Sequence, residues 1–532
     1  MTALISFTSV RAHLVARDEI ALLDVREEDP YAQAHPLWAA NLPLSRIELD
    51  AWRRIPRRDT LIVLYGSHED VDLAPLAAER LAALGYTRVH LLQGGLEGWR
   101  DAGGELFRDV NVPSKSFGEW VEHERRTPSL SAQEVKALID ARADVVVLDA
   151  RRFDEFQTMS IPTATSVPGA ELVLRVRELA PDPATRVIVN CAGRTRSIIG
   201  TQSLVNAGIP NPVAALRNGT IGWKLAGQVL DHGASRRAPA PGEANRAAAQ
   251  ANAQDVARRA GVRWIGPHAL ATLEAAGRTV HRFDVRTPEE YEAGHLPGFA
   301  SAPGGQLVQE TDHHVPVRGA RIVLADDDGV RAPMTASWLA QMGWEVYVVE
   351  AQPATARSAL GAAPADHAAA PSVIGITPAR LADALDASED IAVIDVTTSA
   401  DHAKRHIPGA WFAIRAQLGQ ALDVIPAARR YVLTCGSSLL ARFAAADLRA
   451  LLGARGRDAE VVVLEGGNAA WFAAGLPTET GWRRLATPAT DRYRRPYEGT
   501  DAPAEAMQAY LDWEFGLVAQ LAADGTHHFK VI

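Results

Sequence analysis

The stretch Arg186-Val-Ile-Val-Asn-Cys-Ala-Gly-Arg-Thr-Arg-Ser-Ile-Ile-Gly-Thr-Gln-Ser-Leu-Val-Asn-Ala-Gly208 decides how the rest of this chain is read. Val187, Ile188 and Val189 form a short β-branched run, the pattern of a buried strand. Gly193 and small polar residues then turn the chain. Ser197 is placed to cap a helix that runs from Ile198 to Val205 and stops at Gly208. Cys191 therefore stands in a strand-to-helix loop, where open α/β sheets build their sites. Backbone N–H groups and the helix dipole make such a loop electropositive, and Arg194 and Arg196 add two full charges. A thiol with an ordinary pKa of about 8.5 is expected to move toward thiolate in that field.

Working outward, a short apolar strand ending in aspartate recurs four times. It reads Ala21-Leu-Leu-Asp-Val-Arg26, Val146-Val-Leu-Asp-Ala-Arg151, His281-Arg-Phe-Asp-Val-Arg286 and Val393-Ile-Asp-Val-Thr397. The aspartates Asp24, Asp149, Asp284 and Asp395 lie about 110 to 135 residues apart, the size of a small domain rather than of a solenoid repeat. Each unit continues with a helix-prone segment and a proline turn, such as Gly294-His-Leu-Pro-Gly298 and Arg405-His-Ile-Pro-Gly-Ala410. A second apolar strand follows (Leu61 to Leu64, Val187 to Val189, Ile322 to Leu324, Tyr431 to Leu433), then a helix ending near glycine. Three units close with a third strand, a glycine-rich turn and tryptophan. These are Leu91-Leu-Gln-Gly-Gly-Leu-Glu-Gly-Trp99, Ala215-Leu-Arg-Asn-Gly-Thr-Ile-Gly-Trp223 and Val463-Leu-Glu-Gly-Gly-Asn-Ala-Ala-Trp471. Strands alternating with helices predict an α/β fold in four tandem domains, each a small central parallel sheet flanked by helices.

The boundaries place domains at 1–110, 129–235, 259–353 and 372–485, with a tail at 486–532. Residues 111–128, 236–258 and 354–371 read as linkers, the last two alanine-rich and the second of the three expected to be partly helical. In the tail, Pro503 to Ala523 is expected to be a helix that buries its aromatics on a neighbouring domain.

Composition narrows the function. The 532 residues carry 55 Lys and Arg against 64 Asp and Glu, a net charge of −9, which argues against a nucleic-acid face. No apolar run reaches the roughly 18 residues of a spanning helix, and the first residues do not read as a signal peptide. Two cysteines do not make a disulfide framework, so both are expected to be free thiols in the cytoplasm. No Cys/His cluster has metal-site spacing. His313-His314 and His527-His528 are expected to be exposed polar pairs, and neither metal nor cofactor is expected.

The Asp-x-Arg strand end, the Gly-His-x-Pro-Gly turn, the cysteine loop and the Gly-Gly-x-x-x-Trp ending together resemble the rhodanese (thiosulfate sulfurtransferase) family. The resemblance implies transfer of a sulfane sulfur through a cysteine persulfide. It makes Cys191 the persulfide-forming residue, with Ala192, Gly193, Arg194, Thr195 and Arg196 as the cradle. The donor would be thiosulfate or a similar anion, held by Arg194 and Arg196. The acceptor would be cyanide or a thiol, with ping-pong kinetics. Asp149 and Arg151 would brace the loop.

The other units lack this loop. Aligning Arg331 with Arg196 puts Asp326 in the cysteine position of the third unit, and the first loop, Tyr65 to Asp70, has no thiol with Tyr65 in that position. Both units are expected to be inactive. The fourth keeps Cys435 but has no arginine until Arg442, so Cys435 is expected not to take sulfur from thiosulfate. Two alternatives stand beside this reading. A cysteine phosphatase needs arginine six positions after the cysteine, where this chain has Ser197. A rhodanese-domain scaffold or sulfur-relay protein would turn over little thiosulfate.

Overall fold

A computed structural model describes residues 2–68, 71–363 and 366–532. Four strand-and-helix units follow one another, each built on the same sheet. In the second unit the strands are β1 (Ser129–Leu130), β2 (Val145–Asp149), β3 (Thr165–Ser166), β4 (Arg186–Asn190) and β5 (Val213–Leu216), in the order β3-β2-β4-β5-β1. All the pairs are parallel. The third and fourth units repeat this order around the central strands Arg321–Ala325 and Arg430–Thr434. In the first unit, Ile20–Asp24 also takes an antiparallel neighbour, Val317–Arg318, contributed by the third unit. One sheet is thereby completed by a segment nearly 300 residues away in sequence.

Five helices position the sites. They are α1 (Val112–Arg125), α2 (Thr195–Asn206), α3 (Arg331–Gln341), α4 (Leu439–Ala454) and α5 (Ala504–Asp524). Helix α2 starts at Thr195, so Ser197 sits in its first turn rather than capping it, and its Oγ donates to Arg194 O at 2.9 Å. Helix α1 occupies what composition reads as a linker. Its polar residues Ser114, Ser116 and Glu119 are buried, because α1 is clasped between α2 and α5. Gly118 makes that approach close: a Cβ there would meet Thr195 at 3.0 Å. The alanine-rich linker likewise contains a helix, Glu243–Arg259, whose Ala249, Ala253 and Val256 are buried between the second and third units. Pro364, in the next linker, lies outside the described residues, as do Glu69 and Asp70 of the first loop.

One hydrophobic core joins the first and third units with Phe117 and Val121 of α1 and Leu517, Leu521 and Phe529 of the tail. The fourth unit keeps a core of its own on each side of its sheet, while one of the second unit's two cores extends to Val330 and Met334 of the third. The fourth unit docks on the first through ion pairs. Arg415 grips Glu48 at 2.6 and 2.9 Å, and Arg80 reaches Asp447 at 3.0 Å. The histidine pairs are less exposed than their composition suggests. His314, His527 and His528 are half-buried, and only His313 is exposed.

Candidate active site

The aspartate at the end of each first strand fixes the register of the loop beside it. Asp149 pairs with Asn190, Asp284 with Ala325 and Asp395 with Thr434, so the next residues, Cys191, Asp326 and Cys435, are structural equivalents. In the first unit Asp24 pairs with Tyr65, so Gly66 occupies the cysteine position, not Tyr65. The sequence is ambiguous by one residue there because Leu61 to Tyr65 is apolar throughout; only the ladder to Ile20–Asp24 sets the register.

Asp149 is fully buried. It accepts from Arg151 Nε and Nη2 at 2.9 and 2.8 Å and from Asn190 Nδ2 at 2.8 Å. This ties the residue before Cys191 to the neighbouring strand. On the other side, the Gly-rich turn clasps the loop. Thr220 N–H donates to Cys191 O at 2.9 Å and Ile221 N–H to Ala192 O at 3.0 Å. Gly219 takes φ +55°, and a Cβ there would overlap Cys191 O, so only glycine fits.

Cys191 itself is 2% exposed. Its Sγ lies 3.4 Å from Ser197 Oγ. The thiol is not driven down toward thiolate as its flanking charges suggest. Burial pushes it up, and the Arg196 charge with the Ser197 hydroxyl and N–H only partly offsets that desolvation. Both arginines are paired with carboxylates. Arg196 is held by Glu155 at 2.7 and 2.8 Å, and this pairing draws the Glu155 carboxyl down to about 2 against its burial. Arg194 is held by Glu119 at 2.7 and 2.8 Å and by Glu122, and it lies under the Phe515 ring. These carboxylates share the two side chains expected to bind the donor.

Helix α5 covers the site. Tyr510 and Glu514 of α5 lie against Gly193, where a Cβ would meet Tyr510 Cε1 at 3.2 Å and Glu514 Oε2 at 3.3 Å. Ala192 and Ile221 pack with Tyr497, Met507, Tyr510 and Leu511. Glu514 is fully buried; its Oε1 accepts from Tyr510 Oη at 2.8 Å while Oε2 has no partner. Burial, reinforced by the nearby Glu119, pushes its carboxyl well up and favours the protonated form. Lys115 of α1 pairs with Asp109 at 2.6 Å beneath the rings of Tyr497, Tyr510 and Trp513.

Sequence reasoning places Cys191 and its loop but misses Glu119, Glu122, Glu155, Tyr510 and Glu514. One signal was available: Arg331 is gripped by Glu290 as Arg196 is by Glu155, each pair 41 residues apart. The same spacing in two units marks a structural pair. Glu119, Glu122 and Glu514 left no such trace, because they lie outside the repeats. In the third unit Asp326 accepts the N–H groups of Gly329, Val330 and Ala332, so a carboxylate sits where the sulfur stands in the second. Among the described residues no His/Cys/Asp/Glu group could hold a metal, and no helix is long and apolar enough to cross a membrane.

The sequence model of the rhodanese-like domain matches residues 6–102, 131–226, 267–351 and 377–474. The chain is similar to a crystal structure of thiosulfate sulfurtransferase from Pseudomonas aeruginosa, with 65% identity, a TM-score of 0.97 and full coverage of both chains. It is also similar to the Alr3790 protein from Anabaena sp., with 24% identity over 20% of this chain and 84% of that one and a TM-score of 0.19. A rhodanese-related protein from Thermoplasma volcanium shares 19% identity over 20% of this chain and 97% of its own, with a TM-score of 0.17. Among curated proteins no relative matches.

Proposed function

This chain belongs to the rhodanese family, and from that membership we propose that it is a thiosulfate sulfurtransferase with Cys191 as its nucleophile. The observation that carries the reading is the likeness, 65% identical over the full length of both chains, to a thiosulfate sulfurtransferase. The Cys191 thiolate attacks the outer sulfur of thiosulfate. The bond from that sulfur to the sulfonate sulfur breaks, sulfite leaves with the electron pair, and Cys191 carries a persulfide anion. A second nucleophile, cyanide or a thiolate, then takes the outer sulfur and frees the Cys191 thiolate.

The side chains divide this work unlike two anion-gripping arginines. The thiol proton is directed to Ser197 Oγ. The Ser197 N–H and the Arg196 charge favour the anionic sulfur. The main chain of Ala192, Gly193 and Thr195 receives the transferred sulfur at the start of α2. Arg194 anchors the loop to α1. Cys191 is 2% exposed, and α5 lies across the face of the loop at Gly193. Two free thiols and a small-molecule donor and acceptor fit a cytoplasmic enzyme.

The test is Cys191→Ser. Serine has no soft sulfur to hold the transferred atom, so thiosulfate:cyanide transfer is lost while the circular dichroism spectrum stays native. Transfer that persists in the folded variant overturns the assignment. A phosphate ester offered to the wild type should remain intact.

A further inference from the structure

Away from both cysteine loops, the first unit, the third unit and the tail meet around a cavity of about 630 Å³. The first unit brings Arg17, at the C-terminal end of the helix Phe7–Ala16. The third brings Arg263, on the strand Arg263–Ile265, with Arg278, Trp344 and Glu345. The tail, past α5, brings His528 and Lys530. Main-chain contacts hold the three segments together. A Cβ on Gly319 would strike Arg17 O and Asp18 O, and a Cβ on Gly343 would meet His528 O at 3.2 Å. Lys530 N–H donates to Gln341 O at 2.8 Å, which fixes the lysine beside the cavity.

Among the described residues, Glu345 is the one acid in the lining, and it is already shared. Arg263 Nη2 and Arg278 Nη1 each lie 2.8 Å from it, Arg321 Nε lies at 3.3 Å, and Tyr347 Oη donates to it. Next to Arg17 in the chain, Asp18 pairs with His13 at 3.0 Å and Glu19 with Arg57 at 2.9 Å. The lining therefore holds a surplus of positive charge. Behind it stands Arg318, whose Nη2 a Cβ on Gly343 would meet at 3.0 Å. Arg318 is 2% exposed, and its Nη2 reaches main-chain oxygens of Met342 and His527 at 3.3 and 3.4 Å. Its Nε and Nη1 have no partner, and its charge lies over the rings of Trp38 and Trp344, 3.7 and 4.5 Å from their centroids, rather than against a carboxylate. Trp344 lines the cavity, is 6% exposed and keeps its Nε1 donor without a partner. Like charges crowd here. Burial and Arg17 draw Arg318 down to about 9, and burial with the Arg17 and Arg318 charges also lowers the His528 imidazole. Unpaired donors and surplus cations around one cavity complement an anion. A lone phosphate or sulfate would leave most of this space empty, and the cations come from three separate segments, so the charge must be spread along the ligand. A chain of phosphoryl groups meets both demands.

We propose that this cavity binds a small oligophosphate, a chain of two or more phosphoryl groups, held by Arg17 of the first unit, Arg263 and Arg278 of the third and Lys530 of the tail. The cavity shares no lining residue with the Cys191 loop, so the site stands independently of the sulfurtransferase reading. Only the folded chain brings the three segments together, so the ligand stabilises the native state. A free oligophosphate and the phosphate chain of a nucleotide share this chemistry.

The experiment titrates the full-length protein calorimetrically at about 0.15 M salt, where diffuse charge is screened, with tripolyphosphate, ATP and inorganic phosphate as probes. Tripolyphosphate is expected to bind saturably, one per chain, and to raise the melting temperature. Inorganic phosphate should bind at least about tenfold more weakly. ATP binding tighter than tripolyphosphate identifies a nucleotide as the source, and equal or weaker binding a free oligophosphate. Arg17→Gln and Lys530→Gln change exposed side chains and should each weaken tripolyphosphate binding about fivefold to tenfold. Lys404→Gln, an exposed charge of the fourth unit, should leave it unchanged. No saturable binding, equal affinity for inorganic phosphate, or a loss matched by Lys404→Gln overturns the proposal. Cys191→Ser should bind tripolyphosphate as the wild type does, so this proposal and the sulfurtransferase reading fail separately.

Discussion

The Cys191 and Cys435 loops share a strand end, a glycine clasp and a helix start, yet they present their sulfurs to different surroundings. Cys191 lies under Tyr510 and Glu514 of the tail, whereas Cys435 lines a cavity shared with the first unit. The brace behind each loop differs too. Asp149 holds Arg151, while Asp395 holds His402 Nδ1 at 2.9 Å, because Thr397 stands where an arginine would. The loop's own residues set the local geometry of the thiol. What packs outside the unit sets which molecules can reach it.

The sharpest break in that comparison comes from the braces. Asp149→Ala strands the guanidinium of Arg151, which is 1% exposed, and should cost about 3–5 kcal/mol. Asp395→Ala leaves His402, an imidazole that can stay neutral, and should cost about 1–3 kcal/mol. Denaturant unfolding of both variants checks this, and equal losses would mean that the two braces are interchangeable.

A middle-sized effect separates structure from chemistry. Arg196→Ala and Arg331→Ala each remove the partner of a half-buried glutamate, Glu155 or Glu290, and each should cost about 2–3 kcal/mol. Only Arg196→Ala should also slow sulfur loading of Cys191, since Arg196 alone places its charge on that sulfur. Loading rates measured with stability on the same preparations would show whether the arginine acts chemically or only as a clamp.

The smallest effect concerns α5. Glu514→Gln keeps the shape and should change stability at pH 6 by no more than about 1 kcal/mol. Because the carboxyl is raised in the fold, the native state holds a proton that the unfolded chain releases, and stability falls as pH rises. The variant should therefore gain on wild type toward alkaline pH. Glu514 also opposes the Cys191 thiolate, so alkylation of Cys191 should begin at lower pH in the variant. The same sign applies to Asp312 and Glu27, raised to about 6 and about 7, while the buried His281 and His314, lowered to about 4, act in the opposite sense below pH 6.5, so the carboxyl contribution should show as a fall in stability above that pH. Thermal melts between pH 5 and pH 8 test that slope.

Much of this was legible in the sequence. The four aspartate-ended strands, the glycine turns and the buried Trp99, Trp223 and Trp471 follow from local patterns, because strand period and turn chemistry act over a few residues. Those patterns located the Cys191 loop and the four parallel sheets. Tertiary structure alone decided the rest. The one-residue register that puts Gly66 in the cysteine position depends on a ladder to another strand. The charge state of Cys191 depends on burial under α5, and the carboxylates on Arg194 come from a segment that reads as a linker. The basic cavity draws Arg17, Arg263 and Lys530 from two units and the tail. Desolvation and ion pairing depend on distance in space, and here the decisive partners lie tens to hundreds of residues away along the chain.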